Sequence, residues 1–139
     1  MATFEIKGID HVVLRCRDIE AMIAFYCGTL GGTLAKRNDK LGLVHVRTGS
    51  TMVDLVAIDG ELGRAGGAPP GAEGRNMDHL CLRIEPFDVP VLTEYFRKCG
   101  IELKDVRTRF GAEGDGVSFY LSDPEGNRVE LKGPAAHVG

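Results

Sequence analysis

The chain has 139 residues, 43% of them hydrophobic and 27% charged, with a formal net charge of −3. That is the size of one compact unit, or of two very small ones sharing a core, and a multidomain assembly or a disordered chain is excluded. The 17 basic residues are scattered, so the cationic stripe that phosphate backbones demand is missing and nucleic acid is not an expected partner. No stretch approaches the ~20 apolar residues of a membrane span, and the opening residues lack the apolar core of a secretory leader, so a cytoplasmic protein is expected.

Taken in chain order, residues 9–15 read as a short strand rich in β-formers. Asp18 then caps a helix whose apolar residues Ile19, Met22, Ile23 and Tyr26 fall at helical spacing, with Gly28, Gly31 and Gly32 marking its end. Strands are predicted over 42–47 and 52–58, joined by a Thr48-Gly49-Ser50 turn. Residues 59–76 hold six glycines and two adjacent prolines, which predicts a linker without an element of its own. The pattern then repeats. A strand over 77–83 leads to a helix carrying Val89, Leu92, Phe96 and Cys99, with Pro90 in its first turn and Gly100 just past its end. Strands over 117–121 and 128–132 follow, joined by Asp123-Pro124-Glu125-Gly126-Asn127. The glycine-rich segment 110–116 matches no phosphate-binding spacing and reads as a mobile flap. The cysteines Cys16, Cys27, Cys81 and Cys99 form no Cys-x-x-Cys pair and are expected to be reduced, buried residues.

The repeat is close at the residue level. Ile9-Asp10-His11-Val12-Val13-Leu14-Arg15 returns as Met77-Asp78-His79-Leu80-Cys81-Leu82-Arg83, with Asp, His, Leu and Arg identical. Strand alternation puts His11, Val13 and Arg15 on one face and His79, Cys81 and Arg83 on the matching one. Later in each copy, Met52-Val53-Asp54-Leu55 aligns with Arg128-Val129-Glu130-Leu131, so Asp54 and Glu130 occupy equivalent positions. Two imidazoles and one or two carboxylates form a mixed nitrogen and oxygen set suited to one divalent ion, with Ni, Co, Mn, Fe and Zn all candidates. His45, in an ordinary strand, and His137, near a chain end expected to fray, carry little weight.

On these motifs the sequence resembles the vicinal-oxygen-chelate superfamily, which includes glyoxalase I, extradiol dioxygenases, fosfomycin-modifying enzymes and bleomycin-resistance proteins. The resemblance implies an α+β fold of two βαβββ modules, about 5–58 and 77–133, whose curved mixed sheets form a metal-binding cup, and usually a homodimer. It implies His11, His79 and Glu130 as metal ligands. The glyoxalase branch adds a glutamate where this chain has Asp54, shorter by one carbon–carbon bond of about 1.5 Å, so Asp54 would reach the ion directly, through water, or not at all. Arg15, four residues after His11 as in glyoxalase I, and its repeat Arg83 are candidates for gripping a substrate carboxylate. Tyr120, ten residues before Glu130, resembles dioxygenases and fosfomycin enzymes. The implied activity is that of a glyoxalase-like lyase or isomerase on a small substrate with two neighbouring oxygens, such as a glutathione thiohemiacetal. The cation would stabilise an enediolate, Glu130 or Asp54 would move the proton, and Tyr120 would be a further catalytic group. An Fe(II) dioxygenase of the extradiol type and a metal-free binding protein of the bleomycin-resistance type stand as alternatives.

Overall fold

The structure, a computed structural model, describes residues 2–136; His137 lies outside them. The fold is α+β and divides into two units, residues 1–76 and 77–139, each built on a four-stranded mixed sheet. In the first unit β1 (His11–Cys16) is followed by α1 (Ile19–Ile23), which continues as a π-helical segment, Ala24–Thr29. Then come β2 (Thr33–Asn38), β3 (Leu43–Thr48), β4 (Thr51–Ala57) and a short helix α2 (Glu61–Arg64). The second unit runs β5 (Leu80–Arg83), α3 (Val89–Lys98), β6 (Lys104–Gly111), β7 (Gly114–Ser122) and β8 (Arg128–Lys132). Strand order is β1-β4-β3-β2 in one sheet and β5-β8-β7-β6 in the other. In both, the first strand pairs with the last in parallel while the remaining pairs are antiparallel.

The helices begin where the sequence predicts. Asp18 accepts a hydrogen bond from the Ala21 amide and Asp88 one from Val91, both at 3.0 Å, which satisfies a donor that the first helical turn leaves without an intrahelical partner. Each sheet then buries one face. In the first unit Leu14, Cys16, Val44, Val46, Val53 and Leu55 are all 2% exposed or less; the helix contributes buried Met22, Phe25 and Tyr26. In the second unit Phe119, Leu121, Val129 and Leu131 form the buried face, and the Phe96 ring of α3 meets Phe119 edge-on at 6.0 Å. Burial of such side chains supplies roughly 1.5–3 kcal/mol each.

Three expectations are corrected. Residues 110–116 are no flap: they close the β6–β7 hairpin, with Phe110 opposite Asp115 and Gly111 opposite Gly114. Residues 59–76 hold the short helix α2, whose Gly63 packs so tightly that a Cβ there would stand 1.8 Å from the Ala57 carbonyl oxygen. Of the cysteines only Cys16 is buried, and Cys81 and Cys99 are exposed. No helix among the described residues is long and apolar enough to cross a membrane.

The turn between β7 and β8 sets where Glu130 falls. Buried Asp123 accepts hydrogen bonds through Oδ1 from the amides of Glu125 and Asn127, both at 2.9 Å, and through Oδ2 from Asn127 Nδ2 at 2.8 Å. Gly126 supplies the positive φ of 84° that the turn requires. Asp123→Ala strands these buried donors, and a urea titration should show a loss of about 2–3 kcal/mol.

Candidate functional site

The face of each sheet opposite its core carries the polar residues singled out in the sequence. In the second unit β8 is central: Glu130 lies opposite Cys81 of β5 on one side and Tyr120 of β7 on the other. The Glu130 side chain is 7% exposed, and its Oε1 lies 3.1 Å from Nε2 of His79. His79 in turn donates from Nδ1 to Asp78 Oδ1 at 2.6 Å. An ionised carboxylate only accepts, so Nδ1 carries the proton that Asp78 takes, and Nε2 is the nitrogen that faces Glu130. The Tyr120 ring meets His79 edge-on, with centroids 5.4 Å apart. Two guanidinium carbons, those of Arg109 and Arg128, stand over the same ring at 4.6 and 4.2 Å. The Cys81 thiol is pushed up to about 11, first by loss of water around the sulfur and then by the Glu130 charge.

The first unit repeats part of this arrangement. His11 donates from Nδ1 to Asp10 at 2.7 Å, and that bond raises its pKa above the ordinary imidazole value against an opposing desolvation, with the Asp54 charge adding a lesser push upward. Asp54 lies opposite Val13 of β1 and His45 of β3, the same two lattice positions that Cys81 and Tyr120 hold around Glu130. Its side chain is 5% exposed; Oδ2 sits 3.0 Å from His45 Nδ1, and Oδ1 is buried without a hydrogen-bond partner. His45 is thus part of the site although its own strand gave no hint of it. The signal was in the repeat, since His45 and Tyr120 precede Asp54 and Glu130 by nine and ten residues.

The two arginines expected to meet substrate have other occupations. Arg15 donates from Nη1 to the carbonyls of Gly66 and Ala68, both at 3.1 Å, and from Nη2 to those of Gly63 and Gly67 at 3.0 and 2.7 Å. It ties down the glycine-rich segment, helped by Arg17, which donates to Pro70. At Gly66 a Cβ would stand 2.6 Å from the Arg15 guanidinium carbon, so a larger residue there would make the end of Arg15 shift. Arg83 is held by Glu113 and Glu85.

The donor set suits a divalent cation. Ligand bonds of about 2.0–2.2 Å meeting at a right angle put neighbouring donor atoms about 3 Å apart, and the His79–Glu130 separation of 3.1 Å matches that spacing. The carboxylate on each histidine's far nitrogen is the usual outer partner of a metal-ligating imidazole, and the bare Asp54 Oδ1 is a further oxygen donor. Among the described residues no three His, Cys, Asp or Glu side chains gather as a metal-sized cluster; the first unit holds the pair His45–Asp54 and the second the pair His79–Glu130.

Residues 8–131 match the family model of the Glyoxalase/Bleomycin resistance protein/Dioxygenase superfamily. The chain belongs to this superfamily. Its relatives include the mitochondrial methylmalonyl-CoA epimerase of Bos taurus, 26% identical over 129 residues that cover 89% of this chain and 73% of the relative. A virulence protein of Salmonella typhimurium is 29% identical over 91% of this chain and 83% of its own length. The crystal structure of that virulence protein superposes with a TM-score of 0.75, at 26% identity, over 95% of this chain and 100% of the other. Fosfomycin resistance protein FosX from Mesorhizobium loti shares the fold, with a TM-score of 0.64 at 19% identity over 96% of each chain. The superfamily thus spans several chemistries on one scaffold.

Arg15→Ala should release the glycine-rich segment without disturbing the sheet. Amide hydrogen exchange over 63–70 is expected to rise about tenfold or more, while the amides of β3 and β4 keep their protection.

Proposed function

We propose that this protein is a divalent-metal-dependent lyase or isomerase that moves a proton on a small substrate bearing two neighbouring oxygens. The observation that carries the reading is the buried Glu130 carboxylate 3.1 Å from an imidazole nitrogen whose tautomer is fixed by Asp78. His11, His79 and Glu130 are the residues that would hold the cation, and Asp54, whose Oδ1 is buried without a hydrogen-bond partner, is the candidate fourth donor. The ion, when bound, supplies Lewis acidity that stabilises negative charge developing on a substrate oxygen.

The chain's own residues do the rest. Asp10 and Asp78 orient the two imidazoles through Nδ1, so that Nε2 is the nitrogen offered to the cation. Glu130, secluded from water, takes the proton from the carbon beside the substrate carbonyl through whichever oxygen faces it, and returns it to the same or a neighbouring carbon. The Tyr120 hydroxyl stands on the same face, its ring held by His79, Arg109 and Arg128, and can donate to the oxygen that gains charge. Return to the same carbon is epimerisation and return to its neighbour is isomerisation of the glyoxalase type. The likeness to methylmalonyl-CoA epimerase favours including the former.

Two compounds test the reading: methylmalonyl-CoA, and the thiohemiacetal of methylglyoxal with glutathione. In D2O with an added divalent ion the protein should incorporate deuterium beside the carbonyl of at least one of them, and a chelator should stop it. Glu130→Gln should slow incorporation by about 10²–10⁴, and His79→Ala should lose retention of the ion on gel filtration with its circular dichroism unchanged. Failure to label either compound, or full ion retention by His79→Ala, contradicts the proposal.

A further inference from the structure

Every arginine of the second unit but one is matched to a carboxylate. Arg83 meets Glu113 and Glu85, Arg97 meets Glu94, and Arg107 and Arg109 share Asp105, each with a carboxylate oxygen at 2.9 Å or less. Arg109 also donates to the Ser118 carbonyl and hydroxyl. Lys132, on the same face, is buried and gives its ammonium to the Gly114 carbonyl. Arg128 differs. Its nearest carboxylate oxygen among the described residues is Asp78 Oδ1, 3.9 Å away, and that oxygen already accepts from His79.

Arg128 is nevertheless held in place. Its guanidinium carbon lies 4.2 Å from the centre of the Tyr120 ring, within the range where a cation over an aromatic face is attracted. That contact positions the guanidinium, while among the described residues no carboxylate oxygen comes within hydrogen-bonding distance of its N–H donors. The side chain shares the strand face of Glu130, two residues away, and Tyr120 also touches His79. The arginine is 40% exposed, so a solute reaches it directly. A rigid, planar, five-donor cation beside the proposed reacting group, paired only at 3.9 Å with a carboxylate oxygen that His79 also uses, fits a planar oxyanion through two parallel hydrogen bonds.

We infer that Arg128, braced by Tyr120, is the receptor for a carboxylate on the substrate, a role the sequence pattern offered to Arg15 and Arg83. The substrate class is then narrowed to small carbonyl compounds with a carboxylate beyond the reacting carbon. This rests on the proposed site for its meaning, but not for its test, which reads the guanidinium itself. Arg128 is a specificity residue: it anchors the substrate's far end and leaves proton movement to Glu130.

The test uses malonate as the probe and the full chain as purified, followed by the NMR signal of the Arg128 side-chain N–H. Malonate should shift that signal saturably, while uncharged malonamide should not. In Arg128→Gln the affinity for malonate, read from backbone amides of β7 and β8, should fall tenfold or more with the remaining spectrum unchanged. Arg128→Lys should restore only a minor part, because an ammonium lacks the fork. An unmoved Arg128 signal at high malonate, or equal affinity in native protein and Arg128→Gln, overturns the inference. Tighter binding of inorganic phosphate than of malonate overturns the carboxylate assignment. A positive titration in a protein that labels neither test compound would separate this site's recognition role from the proton chemistry.

Discussion

Parallel pairing of the first strand of each unit with its last is the constraint on which the site depends. Parallel neighbours cannot be joined by a tight turn, so the chain must leave through a helix and two further strands before returning. That detour creates the sheet order β1-β4-β3-β2 and its copy β5-β8-β7-β6. The returning strand is central and buried, and it carries the carboxylate between two neighbours whose residues at the same level face the same way. Asp54 and Glu130 are therefore flanked on both sides by side chains chosen by register alone. A one-residue slip would send all of them into the core, which is why the Asp123 turn and the buried apolar face of β8 matter as much to the chemistry as Glu130 does.

The two units share this frame and have diverged on it. Around Glu130 stand an imidazole, a phenol and a thiol, with guanidinium groups over the phenol. Around Asp54 stand a histidine and a valine, and the shorter carboxylate turns one oxygen towards His45. The repeated arginine has diverged as well. Arg15 has become the clamp of the glycine-rich segment, and Arg83 is enclosed by glutamates. A duplicated scaffold has thus been given one side rich in reactive groups and another in which the same positions serve order as well as binding.

Much of this was legible in the residues because it rests on short-range pattern. The helix cap Asp18, the alternation in β1 and β8, and the equivalence of Asp54 with Glu130 all lie within a few residues of sequence. What escaped reading depends on long-range register or on edges. The outer strands β2 and β6 are largely exposed, and each breaks its register once, between Leu34 and Lys36 and between Lys104 and Arg107. Such bulges erase the two-residue period that marks a strand. The glycines at 111, 114 and 116 looked like a loop because they allow a hairpin whose backbone passes close to Lys132 and Pro134. His45 gained meaning only when β3 was laid against β4, and Arg128 only when its neighbours proved to be closely paired while its own carboxylate stood 3.9 Å away.

The central claim is that the His79–Glu130 pair of the second unit is where this chain takes a divalent cation. Pulsed electron paramagnetic resonance on the full chain loaded with Mn(II), grown with 15N-labelled histidine, reads imidazole coordination directly. The account predicts a tightly held ion with histidine nitrogen in its coordination sphere, and loss of a histidine signal in His79→Ala. A coordination sphere made only of oxygen, or histidine coordination unchanged in His79→Ala, would contradict it.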